Sequence, residues 1–386
     1  MKLLDKRLYS VEWNVLNDKE LKKNILREIP ELIKIVKKIT EVNGLPIKKT
    51  LKDFINGPFT RLPGSRRAYY WKYGSSADVI AIKGTEIISQ ELKNTLINES
   101  KNKLHHRPWS KFENFIYREQ KAPLAMLFNE ALDEGSIGAK YQKTIFKKFG
   151  KFEEAPLPLM IIKWNKDVVD KYKKIINSIL SKRAKDLIIP LIDRHGLGGV
   201  IYHYPYLPTR VRFMDRKNKK FLKKNSTSDR LNSIHNLINI QARMLISGFL
   251  PFSFQDHGIG QCIAPQNVTL KGGICDLSSL KNNFKQFSKH DLFTLLRSTG
   301  VIITRTAYEL LGSSDKDIMY EFENPTPLVH QLSGIIHYHL RESIFKQSKK
   351  FSLNLDPSLK TYYGTDDVSL TESLGLRKRK EKKIRK

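Results

Sequence analysis

Only two cysteines, Cys262 and Cys275, occur in 386 residues. So few thiols build no disulfide framework and no zinc site, and they point to a reducing compartment, the cytoplasm. No uninterrupted apolar run approaches the ~18 residues that mark a membrane span, so none is expected. The opening "MKLLDKRLYSVEW" lacks the apolar core of a secretory signal. Acidic residues are also scarce: 39 Asp and Glu face 69 Lys and Arg, giving a formal net charge of +30 and a pI near 9.9. A hydrophobic share of 40% excludes a wholly disordered chain. The length allows roughly two lobes.

The charge has two readings. It attracts polyanions: nucleic acid, or an acidic or phosphorylated partner. It also reflects the Lys, Ile and Asn that an AT-rich genome encodes. Two basic segments carry much of it, "RKNKKFLKK" (216–224) and the terminal "LRKRKEKKIRK", a tail expected to be disordered.

Residues 10–42 space apolar side chains at three and four with lysines between, which predicts a helix. Between residues 54 and 88 the period changes. "FTRL", "AYYWKY" and "DVIAIKG" predict three strands, joined by tight turns at "PGSRR" and "GSSA". Helix returns over 109–150, with a glycine stop at Gly135. "APLPLMIIKW" (155–164) predicts a buried strand. Residues 166–196 predict a helix and turn, and residues 198–213 an aromatic strand. A helix follows over 231–248, and residues 282–350 are mostly helical. Between those helices, "APQNVTLKGGICDL" predicts a hairpin turning at Lys271-Gly272-Gly273.

This order is a small antiparallel sheet, a helix, another strand, then a mainly helical half with an embedded hairpin. "DVIAIKG" resembles the V-A-I-K strand of protein kinases, with Lys83 as its lysine. The resemblance implies an α+β, two-lobed kinase-like fold, with a small antiparallel β N-lobe and a mainly helical C-lobe. The implied boundaries are an N-terminal helical extension (1–50), an N-lobe (51–165), a C-lobe (166–365) and a basic tail (366–386). Lys83 would hold ATP phosphates and needs a carboxylate to fix it. Glu130 is the expected partner, with Glu119 the runner-up. "PGSRR" lies where kinases carry a glycine-rich loop, so Gly64, Ser65 and Arg66 would cap a phosphate. Asn267 and Asp276, an amide and a carboxylate across one hairpin, would bind Mg²⁺.

The chain departs from the kinase pattern at the base. The catalytic Asp of that family precedes the metal-binding Asn by five residues, and Cys262 stands there. Asp256 or His257 would serve instead. Phosphoryl transfer to an unidentified acceptor is the expected reaction, with nucleotidyl transfer, ligation and nucleotide binding without turnover left open. "HGIGQCIAPQN" (257–267) also resembles a stretch of the NRPS-independent siderophore synthetases. His257, Gly258, Ile259, Gln266 and Asn267 coincide, while the family's Glu and second His fall on Cys262 and Ala264. That likeness adds an ATP-handling palm, not siderophore synthesis.

Each feature also has a plain structural reading. Lys83 is then a lysine at a strand end. Asp256, Gln266, Asn267 and Asp276 are then turn and cap residues. "HHRPW" (105–109) and "RHGLGG" (194–199) read as ordinary segments. "YHYPYLPTRVRF" suits a core strand, and also base stacking with Arg210 and Arg212 on phosphate. A non-catalytic polyanion binder is the competing function.

Overall fold

The computed structural model describes residues 8–43, 59–60, 68–72, 78–84, 92–101, 120–211, 226–249, 267–277 and 327–350, with isolated positions at 87, 113, 116–117, 280 and between 299 and 310. The protein is α+β. It divides into two units: Met1–Phe146 with Pro156–Leu207, and Lys147–Ala155 with Pro208–Lys386.

The first unit is built on an antiparallel sheet. Its strands are β1 (Tyr9–Asn14), β2 (Phe59–Thr60), β3 (Ala68–Lys72), β4 (Val79–Lys83), β5 (Leu157–Trp164) and β6 (Gly198–Tyr204), in the order β1-β5-β6-β4-β3-β2. The three strands predicted between residues 54 and 88 pair as a meander, Tyr70 facing Ala81 and Phe59 facing Trp71. The predicted strand at 155–164 is β5. β6 lies between β4 and β5 and is buried throughout, as expected of a central strand. The boundary expected at 165/166 therefore falls inside this sheet, and the first unit continues to Leu207. "RHGLGG" supplies the end of a helix and the start of β6.

The helix predicted over 10–42 is replaced in part. Residues 9–14 form β1, which pairs Tyr9 with Trp164 and Val11 with Ile162. Asn14 and Asp18 then accept backbone hydrogen bonds from Leu16 and Leu21, starting α1 (Lys19–Glu28). Pro30 opens α2 (Pro30–Lys37), where its missing N–H costs nothing, because the first-turn N–H groups have no acceptor within the helix. A further helix, α3 (Leu92–Lys101), follows β4. The segment 166–196 is two helices, α5 (Lys166–Asn177) and α6 (Lys182–His195), and Ser181 caps the second.

Helix α4 (Phe128–Phe149) runs through the glycine expected to stop it. A Cβ at Gly135 would stand 2.6 Å from Ile161 side-chain carbons. The glycine brings helix and sheet close together; it does not end the helix. Ala131, Ala139, Ile145 and Phe146 complete the buried face.

The second unit holds α7 (Thr227–Ile246), α8 (Pro327–Lys350) and the hairpin at 267–276. Ser226 and Asp229 form a reciprocal capping box at the start of α7, which precedes the predicted start by four residues. Among the described residues, no helix is long and apolar enough to cross a membrane.

Candidate functional site: a lysine–carboxylate pair and an anchored hairpin

Lys83 ends β4, and its partner is fixed by the sheet and α4 together. Its Nζ donates to both oxygens of Glu134, each at 2.6 Å. The side chains are 12% and 2% exposed, so the pair is largely removed from water. Tyr202 of β6 donates its hydroxyl to Glu134 Oε1 at 2.7 Å. Strand alternation explains this convergence. Ala81 and Lys83 share one face of β4, and their cross-strand neighbours are Tyr202 and Val200.

Glu130 was the expected partner, and the structure corrects this to Glu134, one helical turn later. Glu130 lies instead 3.9 Å from Lys121. The sequence carried a signal for the right choice. Glu134 adjoins Gly135, the residue whose missing side chain lets α4 approach Ile161 and Val200. Glu119, Gly64, Ser65, Arg66, Asp256 and His257 lie outside the described residues, as do 105–109 and the basic loop at 216–224.

Asn267 and Asp276 belong to the second unit. The predicted hairpin is present. Cys275 N donates to Asn267 O at 2.8 Å, and Thr269 N to Gly273 O at 2.7 Å. Val268 bridges Ile274, and Arg210 bridges Thr269. Asn267 is buried and Asp276 half-buried. The backbone pairing sets Asn267 opposite Cys275, next to Asp276, so the two residues lie at the same end of the hairpin. One amide oxygen and one carboxylate are hard donors, which fits Mg²⁺ completed by phosphate oxygens. Among the described residues, no three His, Cys, Asp or Glu side chains form a metal cluster.

Two acidic residues that sequence reasoning passed over hold this unit together. Glu153 takes two hydrogen bonds of 2.7 Å from Arg243 of α7, in the paired geometry that suits guanidinium and carboxylate. Glu154 accepts from Asn236 through its side chain and from Ile274 through its backbone.

Of the aromatic stretch expected either as a core strand or as a stacking surface, the part in β6 is core. Tyr202 and Tyr204 are buried in β6, and their rings meet edge to face, as do those of Tyr70 and Tyr204.

Profiles of known protein families match no part of the chain, and neither curated proteins nor solved structures give a match.

Proposed function

We propose that this protein is an ATP- and Mg²⁺-dependent transferase on a two-lobed kinase-like fold, and that it transfers a phosphoryl group to an acceptor. The Lys83–Glu134 pair carries the reading. A buried ion pair is a poor device for stability, because desolvating both charges offsets their attraction. Positioning an ammonium for phosphate is a task that needs such a pair, and kinases fulfil it with a strand lysine and a helix glutamate.

In this reading Glu134 aims the Lys83 ammonium at the phosphates of ATP, and Tyr202 holds Glu134. Asn267 and Asp276 hold Mg²⁺, which when bound neutralises charge on the phosphates. Asp256 or His257 takes the proton of the acceptor hydroxyl. The high positive charge of the chain suits an acidic acceptor.

The test is a thermal-shift titration of ATP with and without Mg²⁺. A ligand that binds the native state raises the midpoint by mass action. Wild type is expected to show a Mg²⁺-dependent rise that Asp276→Ala loses and Lys83→Met weakens. ATP binding unchanged in the Lys83→Met/Asp276→Ala double variant overturns the proposal.

The net charge of +30 favours a second reading, a non-catalytic binder of nucleic acid or another polyanion. Its mark is an affinity for RNA that falls steeply between low and physiological salt. Absence of nucleotide binding together with that slope would select it.

A further inference from the structure

The hairpin that carries Asn267 and Asp276 is pinned to α7 by side chains that face its turn. Asn236 Nδ2 donates to the Lys271 carbonyl at 2.9 Å and to Glu154 Oε2 at 3.0 Å. One amide group thus ties the turn to the segment before β5. Ser233, one turn earlier on α7, donates to the Leu270 carbonyl at 2.6 Å. Glu154 completes the triangle, since its carbonyl accepts from Ile274 N at 2.8 Å. Arg243 in turn fixes the neighbouring Glu153.

The geometry points to Asn236 as a positioning residue that sets the Mg²⁺ affinity of the hairpin, an inference that rests on the nucleotide reading above. Two protein oxygens are a small donor set, so their placement before the metal arrives governs how tightly it binds. If the competent hairpin is populated only in part, apparent affinity drops by that fraction. Asn236 makes no use of its own oxygen in these contacts; it acts by donating two hydrogens to acceptors on different segments. Asn236→Asp keeps the shape and removes both donors, setting a carboxylate against a carbonyl and a second carboxylate. Glu154→Gln keeps an acceptor for Asn236 and leaves the backbone bond to Ile274.

The experiment uses the full chain. Two quantities are read: the Mg²⁺ concentration for half-maximal thermal shift at fixed ATP, and hydrogen exchange at the Ile274 and Cys275 amides. Asn236→Asp is expected to raise the Mg²⁺ half-point about five- to tenfold and to speed exchange at both amides. Its ATP shift without Mg²⁺ should stay at the wild-type value. Glu154→Gln should stay near wild type in both readings. Ser233→Ala, a milder loss on the same turn, should move both in the direction of Asn236→Asp and serves if that variant does not fold. A wild-type Mg²⁺ half-point in Asn236→Asp or, failing that, in Ser233→Ala overturns the inference and leaves the transferase reading standing. A wild-type chain with no Mg²⁺-dependent rise overturns both.

Discussion

Tyr202 and Lys83 share one acceptor: the tyrosine hydroxyl lies 2.7 Å from Glu134 Oε1, and the lysine Nζ is 2.6 Å from the same oxygen. Tyr202→Phe keeps the ring and its edge contact with Tyr204 while removing this bond. Hydrogen bonds to a charged group contribute about 1.5–3 kcal/mol. A loss of that size is expected in urea unfolding followed by tryptophan fluorescence. Three of the four tryptophans, Trp13, Trp71 and Trp164, lie in the sheet, so most of the signal reports on it. An unchanged midpoint would show that the hydroxyl contributes nothing.

Removing one partner of the buried pair should cost more than removing both. Glu134→Leu strands the Lys83 ammonium, at a cost of about 3–5 kcal/mol. Lys83→Met/Glu134→Leu takes away both charges and is expected to recover a large part of that loss. Urea midpoints of the two singles and the double variant form the cycle. Strict additivity would mean that the two residues do not interact.

Gly272 turns the hairpin at φ +81°. A Cβ there would collide with the backbone carbonyl of Ser233, which cannot swing aside as a side-chain tip can. Gly272→Ala is therefore expected to destabilise the second unit by more than the ~1 kcal/mol that a left-handed alanine alone costs. Hydrogen exchange at Cys275 should quicken. Retained protection there would contradict the close approach.

α7 and α8 bring His235 and His339 together edge to face, ring centres 5.0 Å apart. Burial lowers the pKa of His339 from 6.5, His235 lowers it further, and Glu342 opposes both. The folded protein thus prefers neutral His339. As pH falls below about 6.5 the unfolded chain binds that proton first. Stability present above 6.5 is then lost until the lowered folded-state pKa is passed. His339→Gln should flatten this part of the profile in unfolding measured from pH 7.5 to 5. An identical slope in the variant would exclude His339 as its source.

Much of this architecture was legible because its signals are local. Near-continuous apolar, β-branched runs in "DVIAIKG" and "APLPLMIIKW" marked β4 and β5, and Lys-Gly-Gly marked the hairpin turn. The failures came where distant pairing decides. Residues 9–14 are a strand because β5 offers an edge to "YSVEWN", which no window on that segment alone reveals. Gly135 looked like a stop because its packing partners, Ile161 and Val200, lie far along the chain. Glu130 and Glu134 differ by one helical turn, and only the register of α4 on the sheet separates them. The Glu153–Arg243 pair joins residues whose sequence spacing obeys no motif.

That pair also bears on the order of synthesis. Glu153 leaves the ribosome 90 residues ahead of Arg243. At roughly 5–20 residues per second this is a wait of about 5–20 s. Throughout it, a carboxylate destined for burial has no guanidinium to meet. The segment 147–155 therefore cannot reach its final packing with the nascent chain that surrounds it in sequence. A protease or a cloning boundary that separates the chain after Leu207 recreates the same orphan permanently. A workable fragment of the second unit must carry 147–155 with it.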